Sequence, residues 1–243
     1  MRTLQGLLVF GLLCGSTTIV SAQYGELTGL KILKPEDTEH VKSTPAPEGA
    51  LVLFDGKDLD KWTKQDGKSS AHWKLVDGGA MQVEKGGNIF TKEKFGGSFK
   101  LHVEFRVPYE PNNKGQARAN SGVYVQGRYE VQVLDSYGLE SKNNDCGAIY
   151  EVAAPLKNVC KAPTFWQSYD IEYTSPKFEN GKKTEPARMT VHQNGEKIHD
   201  DVKINVDNTR AGAGGDPSQP GPIMLQDHGN PVQYRNIWLV PSK

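Results

Sequence analysis

The stretch from Asn120 to Asp135 most constrains the fold, because apolar and polar residues alternate through it in two consecutive runs. The runs cover Gly122–Gln126 and Tyr129–Leu134, and they flank the two-residue link Gly127-Arg128. Glycine in the first position of such a link is typical of a type II′ turn, whose twist matches that of the strands it joins. The stretch therefore predicts a β-hairpin.

A two-residue link would place Val125 opposite Glu130 in this hairpin. Because successive side chains on a strand point to opposite faces, Glu130 and Gln132 would share one face. With Asn120 and Asp135 at the open end of the hairpin, that face would line a polar groove. An ordinary solvated sheet face would give the same alternation, so this stretch alone leaves both interpretations open.

Alternation of the same kind recurs along the chain, which contains 26 glycines and 14 prolines and little helical periodicity. This composition favours many short strands joined by turns. We expect an all-β, two-sheet antiparallel sandwich or jelly roll. The charged face of one strand, which includes His102, is expected to be solvated, and residues 208–222 form a Gly/Pro loop. The further predicted strands are Ala50–Phe54, Trp73–Val76, Ala80–Val83, Ser98–Val107, Phe165–Tyr173, Arg188–Gln193, Glu196–Ile198, Ile223–Gln226 and Val232–Val240.

Residues 1–22 are predicted to be a secretory signal, with Arg2, an apolar stretch and a small-residue cleavage site before Gln23. The apolar run is too short to span a bilayer, so we expect no transmembrane anchor after cleavage and a secreted or periplasmic protein. Residues 23–48 are polar and contain prolines, which predicts a tether, and residues 49–243 form the folded domain.

The charges balance, with 29 basic and 29 acidic residues, and no basic run or patch occurs. Nucleic acid is therefore excluded as a partner class. Nothing in the sequence indicates the oligomeric state.

Two cysteines, Cys146 and Cys160, remain once the signal and its Cys14 are removed. An even pair in an exported chain predicts a disulfide bond. Closing a loop of about 15 residues would contribute roughly 3 kcal/mol in the chain-entropy model. Two separate buried thiols are the alternative.

His228 stands out among the histidines because it lies in a short polar loop between two predicted strands. Functional groups concentrate on loops held by a rigid scaffold, and histidine is the usual general base near neutral pH. A turn in which it only satisfies backbone groups is the alternative. Glu130 and Asp135 could form the carboxylate pair of a glycosidase. Tyr150 and Trp166 could stack on sugar rings or belong to the core.

Several segments, in their order and spacing, match motifs of one family: Leu53–Leu59 with Trp62, Asn120–Tyr124, Tyr129–Asp135, Gly147–Tyr150, and Leu225–Gly229 with Tyr234–Ile237. On these residues the sequence resembles the 3-keto-disaccharide hydrolase domain, over about Gly49–Val240. The resemblance implies a concanavalin-like jelly roll, secretion by a bacterium, and action on oxidised sugars. The elongated segments 176–186 and 212–222 depart from the family's core pattern and leave the substrate open.

The resemblance implies an enzyme that cleaves 3-keto-glycosides, either hydrolysing them or eliminating the C1 substituent and then adding water. We expect His228, supported by Asp227, to remove the C2 proton. Glu130 is the alternative base or the acid for the leaving group, and Asp135 lies at the rim. The expected substrate-binding residues are Asn120, Gln132, Tyr150, Trp166, Gln226, Asp227 and Arg235.

Two other functions remain open at this stage. A lectin-like module could bind glycans in the same groove without turning them over, and a structural protein of the cell envelope could have the same composition. A small-molecule or oligosaccharide ligand is expected in the first two cases. Carboxylate, amide oxygen and imidazole are all metal ligands, so a divalent metal among Glu130, Gln132, Asp135 and His228 is also open.

Overall fold

The computed structural model describes residues 24–242, in which strands and irregular loops account for nearly all of the chain. The predicted signal, residues 1–22, lies outside the described residues. Two short 3-10 helices cover Pro35–Thr38 and Gly115–Ala117, and no helix in the described part is long and apolar enough to cross a membrane. The strands are β1 (Leu51–Phe54), β2 (Trp62–Thr63), β3 (Lys74–Val76), β4 (Ala80–Gln82), β5 (Ile89–Thr91), β6 (Ser98–Arg106), β7 (Ser121–Val125), β8 (Tyr129–Val133), β9 (Gln167–Thr174), β10 (Lys177–Glu179), β11 (Lys182–Glu185), β12 (Ala187–Gln193), β13 (Glu196–Ile204), β14 (Met224–Leu225) and β15 (Gln233–Pro241).

Two antiparallel sheets enclose one core, which confirms the predicted sandwich. The larger sheet has the order β13-β12-β9-β6-β15-β4-β3, with β1 also paired to β15, and the smaller has the order β2-β5-β14-β7-β8. Apolar side chains of both sheets meet in a single buried cluster that includes Leu101 and Val103 of β6 and Val123 and Val131 of the smaller sheet. Strands β10 and β11 form a separate hairpin.

The β7–β8 hairpin forms as predicted, but its register differs by one residue. Val125 pairs with Tyr129 and Tyr124 pairs with Glu130, because Gln126 belongs to the turn. Gln126 has a φ of 53°, and its buried amide donates to the carbonyl of Phe95 at 2.9 Å. This hydrogen bond holds Gln126 in the turn, outside the β7–β8 hydrogen-bond ladder. The predicted faces are unchanged, since Glu130 and Gln132 still lie two residues apart on one strand.

Residues 24–48, predicted as a tether, lie against the larger sheet. Ser43 Oγ donates to Glu104 Oε1 at 2.5 Å, and the amide of Val41 donates to the carbonyl of Trp166 at 3.0 Å. These contacts cover the outer face of β6, so His102 and Glu104 are fully buried. The expectation that His102 is a surface residue is therefore wrong. The sequence shows the charge of this face and not the segment that covers it.

Candidate active site

A cavity of about 260 Å³ opens on the face of the smaller sheet that points away from the core. Strand β8 and the residue just before β7 supply its floor, the residues after β14 supply one wall, and the loop after β13 supplies another. Six residues singled out in the sequence come together here: Asn120, Glu130, Gln132, Tyr150, Gln226 and His228. The predicted polar groove therefore exists. Loops outside the hairpin enclose it on additional sides.

Glu130 lies at the floor of this cavity and is 2% exposed. Burial raises the pKa of Glu130 to about 7, a shift that a hydrogen bond with the Tyr124 hydroxyl partly offsets and the charge of Glu151 increases. A Cβ atom on Gly122 would overlap Glu130 Oε1 and lie 2.7 Å from a ring carbon of Tyr124. Glycine at this position thus makes room for the carboxyl group. A carboxyl that titrates near neutrality is suited to accept a proton as a general base.

Three amide side chains surround Glu130, and a hydrogen-bond network fixes their orientation. Asn120 Nδ2 donates to the Gln116 carbonyl at 2.8 Å, and Gln132 Nε2 donates to Gln116 Oε1 at 2.9 Å. Gln226 Nε2 donates to the Tyr124 hydroxyl at 3.0 Å. The side-chain oxygens of Asn120, Gln132 and Gln226 are buried and have no partner within the described part of the protein.

The entrance of the cavity carries groups that can donate hydrogen bonds. His228 lines the cavity and is exposed, and Tyr150 is half-buried beside Glu130, whose carbonyl accepts from the Tyr150 amide at 3.1 Å. Arg210 also lines the cavity, and its Nη1 donates to Glu151 Oε1 at 3.3 Å. The entrance thus combines an imidazole, a phenol and a guanidinium group.

Arg210 and Gln116 contribute to the site although no motif or pattern in the sequence singled them out. Arg210 belongs to the Gly/Pro loop, which Arg128 of the hairpin turn anchors by donating to the carbonyls of Asp216 at 2.5 Å and Gln219 at 3.1 Å. A guanidinium that binds backbone carbonyls leaves no sequence motif. The Gly and Pro content indicated a loop but could not show that it folds back over the hairpin.

Two predicted carboxylates lie outside the cavity. Asp135 accepts a hydrogen bond from Arg118 Nε at 2.8 Å in a partly buried ion pair. Asp227 accepts from the backbone amides of Gly86–Gly87 at 2.9 Å each, so it holds two loops together and forms no described hydrogen bond with His228. The structure therefore places neither residue where the sequence hypothesis needed it.

Arg235 and Trp166 lie on the outer face of the larger sheet, on the far side of the core from the cavity. Arg235 Nε donates to Glu104 Oε2 at 2.6 Å, and the Arg235 guanidinium stacks 4.1 Å from the centre of the Trp166 ring. Both were predicted to bind substrate. Strand alternation assigns Arg235 to a face but cannot tell which sheet that face belongs to.

The predicted disulfide is absent, since Cys146 and Cys160 are both free and buried. Cys146 Sγ lies 3.1 Å from the Tyr169 hydroxyl, and the Gln193 amide nitrogen approaches both sulfurs, at 3.7 Å and 3.5 Å. Each buried thiol thus lies next to at least one polar group that can hydrogen-bond with its sulfur. The alternative of two buried thiols describes this structure.

No three His, Cys, Asp or Glu side chains come together as metal ligands within residues 24–242. Asp135, one of the four residues considered for a metal in the sequence, is bound to Arg118 instead. The cavity does contain Glu130, His228 and amide oxygens, which are ligand types that hard and borderline metals accept.

A second cavity, of about 580 Å³, lies between the segment around Lys34 and the segment around Val159. None of the described side chains that line it carries a buried polar atom without a hydrogen-bond partner. Functional sites combine a concave shape with convergent polar groups and perturbed pKa values. The smaller cavity meets these criteria, and we therefore take it as the candidate active site.

Residues 49–240 match the model of the 3-keto-alpha-glucoside-1,2-lyase-like domain. The chain belongs to this family. The match covers most of the chain and includes every residue that lines the cavity. The family resemblance found in the sequence is thereby confirmed.

Solved structures of similar proteins come from Parabacteroides distasonis. A protein assigned as a glycosyl hydrolase is 35% identical, with a TM-score of 0.72, and the match covers 89% of this chain and 100% of that one. A second protein with the same assignment is 19% identical, with a TM-score of 0.59, and the match covers 87% and 99% of the two chains; it shows the fold alone. No functionally curated protein matches the chain.

Proposed function

We propose that this protein cleaves 3-keto-glycosides by elimination across the C1–C2 bond of the keto-sugar, with Glu130 as the general base. The observation that carries the proposal is the buried carboxyl of Glu130, whose pKa is raised to about 7 at the floor of the cavity. Membership of the 3-keto-alpha-glucoside-1,2-lyase-like family supports the choice of substrate. A similar chain assigned as a glycosyl hydrolase supports carbohydrate chemistry in general.

The reaction needs no covalent intermediate with the protein. The C3 ketone acidifies the C2 proton, Glu130 takes that proton, and the electron pair moves to the C3 oxygen as an enolate. Collapse of the enolate restores the ketone, forms the C1=C2 double bond and expels the C1 oxygen substituent, which takes up a proton. The products are a cyclic enone and the free alcohol. Addition of water across C1=C2 would complete a net hydrolysis.

The entrance residues supply the remaining roles. His228 is exposed at the opening, where a leaving group would depart, and we assign it the donation of a proton to the glycosidic oxygen. Tyr150 and Arg210 are the donors that we assign to the enolate oxygen. This exchanges the roles that the sequence suggested for His228 and Glu130, because Glu130 is the more deeply buried of the two.

The test uses a 3-keto-α-glucoside with the purified protein. We expect release of the alcohol together with an enone that absorbs in the ultraviolet. In D₂O, NMR should show loss of the C2 proton signal. Glu130→Gln should lower the rate by roughly 10²–10⁴-fold, the usual contribution of a general base. Glu172→Gln, on an exposed position of β9, is the matched control and should retain full activity.

Two outcomes would contradict the proposal. If the wild-type protein produces neither alcohol nor enone and does not exchange the C2 proton, it is not a lyase of this kind. Glycan binding without turnover would then support the lectin-like alternative. If Glu130→Gln retains activity and His228→Ala loses it, the base is His228.

We also infer that the protein acts outside the cytoplasm. The support is the pattern of residues 1–22, with a basic start, an apolar stretch and a small-residue cleavage site. Protein recovered from its native host should begin near Gln23. A chain that retains Met1–Ala22 in the cytoplasmic fraction would contradict this inference.

A further inference from the structure

Three buried carbonyl oxygens around the cavity have no hydrogen-bond partner within residues 24–242. They are Asn120 Oδ1, Gln132 Oε1 and Gln226 Oε1, and all three side chains line the same cavity. Their residues are between 1% and 8% exposed. Folded proteins pair most buried polar groups, and each exception calls for an explanation. Three exceptions of one chemical type in one cavity indicate a common cause.

The amide orientations follow from the partners of the nitrogen atoms. Asn120 Nδ2 donates to a backbone carbonyl of Gln116, which cannot donate in return, so the Asn120 oxygen must be the unpaired end. The Gln116 side chain is itself oriented, because its Nε2 donates to the carbonyl of Asn144 at 2.8 Å. Its oxygen therefore accepts from Gln132 Nε2 at 2.9 Å, which leaves the Gln132 oxygen free.

Gln226 is oriented in the same way through a phenol. The Tyr124 hydroxyl hydrogen-bonds with the Glu130 carboxyl, so it can use its lone pair to accept from Gln226 Nε2 at 3.0 Å. The Gln226 oxygen then has no partner. The cavity thus presents three fixed acceptors and no competing amide donor from the same side chains.

A set of fixed acceptors is complementary to a ligand that presents several donors. Sugar hydroxyls are such donors, and their spacing around a ring allows one ring to reach several oxygens. A metal cation is less well matched, because the cavity contains one carboxylate and is also lined by the cation Arg210. Pockets for drug-sized ligands occupy about 300–1,000 Å³, so a volume of about 260 Å³ fits a single ring.

We propose that Asn120, Gln132 and Gln226 form a subsite that recognises a sugar ring by accepting hydrogen bonds from three of its free hydroxyl groups. The identity of the ring as the keto-sugar rests on the proposed function. The recognition itself requires only a sugar in the cavity. It selects against rings whose hydroxyls are removed or alkylated, because each such change leaves one buried oxygen without a partner.

The experiment measures binding without turnover. Methyl α-glucoside has no ketone and cannot undergo the elimination, so its affinity and that of its 2-, 4- and 6-deoxy derivatives can be determined by NMR titration. Each lost hydroxyl that is recognised should weaken binding by roughly 5- to 150-fold, which is the cost of stranding one buried acceptor.

Variants then assign hydroxyls to oxygens. In Asn120→Leu, Gln132→Met and Gln226→Met the acceptor is gone, so the penalty for one particular deoxy derivative should disappear while the others persist. Gln219→Met, at an exposed glutamine outside the cavity, is the matched control and should show every wild-type penalty. Thermal melting confirms that each variant is folded.

If the variants of Asn120, Gln132 and Gln226 are too unstable to measure, Gln116→Met provides a second test. It removes the side-chain oxygen that orients Gln132, while Asn120 keeps its bond to the Gln116 backbone carbonyl. The Gln132 amide can then rotate, so the deoxy penalty assigned to Gln132 should shrink and the penalty assigned to Asn120 should persist, although no proposed recognition residue has changed.

The proposal is overturned if no deoxy derivative binds more weakly than the parent sugar, or if every penalty survives in all variants. It is also overturned if a chelator abolishes sugar binding and Ca²⁺ restores it, since a cation would then occupy the oxygens. If the variants assign hydroxyls to the three oxygens but no keto-sugar is turned over, the proposed function is wrong and the subsite is supported. If keto-sugars are turned over but no deoxy derivative binds more weakly, the subsite is wrong and the proposed function is supported.

Discussion

The carboxyl group of Glu130 occupies the space that a side chain on Gly122 would fill. The two residues belong to neighbouring strands, and the backbone of Gly122 does not have a left-handed φ, so glycine is needed here for space and not for conformation. Gly122 pairs with Gln132 and is a diagonal neighbour of Glu130, so the hairpin accommodates the buried carboxyl by omitting a side chain at this diagonal position. This relationship connects the strand pairing directly to the chemistry of the site.

Gly122→Ala should displace the Glu130 carboxyl and lower kcat/KM by about tenfold or more, because a misplaced base loses much of its usual 10²–10⁴-fold contribution. Steady-state kinetics on a 3-keto-glucoside measures the effect. Gly181→Ala is the control, because a Cβ atom there would meet nothing within 4 Å. Its φ of +75° disfavours alanine, so this variant should lose about 1 kcal/mol of stability without a change in kinetics. Unchanged kinetics in Gly122→Ala would mean that Glu130 does not act from its observed position.

The pKa of Glu130, raised from 4.5 to about 7, predicts opposite pH trends for activity and stability. A base must be deprotonated, so kcat/KM should rise as pH rises through about 7. The folded protein binds a proton at Glu130 more tightly than the unfolded chain does. The contribution of Glu130 to stability is therefore fully present below pH 4.5 and is lost as pH rises through 7.

Urea unfolding of wild type and Glu130→Gln at about pH 5 and pH 8 tests this trend. The wild type should lose about 2–3 kcal/mol relative to the variant between the two conditions, because most of the change in pKa from 4.5 to about 7 is sampled in this interval. Other titrating groups are common to both proteins and cancel in the comparison. A difference that does not change with pH would show that Glu130 titrates normally.

Arg128 anchors the loop that carries Arg210, so Arg128→Lys should act on the site from a distance. Lysine cannot bind the carbonyls of Asp216 and Gln219 with two parallel donors. We expect KM to rise roughly 3- to 10-fold, the effect of losing about 1 kcal/mol of anchoring. Hydrogen exchange should speed up in the loop and not in the strands. Arg188→Lys, at a partly exposed position of β12 in the other sheet, should leave both measurements unchanged.

The sequence predicted the part of this site that depends on strand periodicity. Glu130 and Gln132 share a face because they lie two residues apart, and that relation survived the one-residue error in register. The error arose at Gln126, whose buried amide is bonded to a distant segment. Local turn preferences contain no information about such a contact.

The rest of the site depends on which face of which sheet a residue occupies, and periodicity does not specify this. Arg235 lies in a strand with clear alternation, yet its strand belongs to the larger sheet. Asp227 immediately precedes His228 but turns to the Gly86–Gly87 backbone. Gln116 lies in the short 3-10 helix Gly115–Ala117, between strands, and is recognised only through its bonds to Asn120 and Gln132.

The placement of Arg235 gives a prediction that separates the sequence hypothesis from the structure. Arg235 is paired with Glu104 across the core from the cavity, so Arg235→Met should leave kcat/KM within about threefold of wild type. Its stability should fall by about 2–3 kcal/mol. That is less than the 3–5 kcal/mol typical of a fully buried pair, because the Arg235 side chain is 22% exposed.

The same pair predicts how this loss varies with pH. Burial raises the pKa of Glu104, but hydrogen bonds from partners that include Arg235 outweigh it and lower the pKa to about 2. Stability from this carboxylate is present above pH 4.5 and is lost as pH falls towards 2. The destabilisation by Arg235→Met should therefore be largest near neutral pH and shrink in acid, as urea unfolding can measure. If the variant instead keeps its stability and loses turnover, Arg235 reaches the substrate and the assignment of the two faces is wrong.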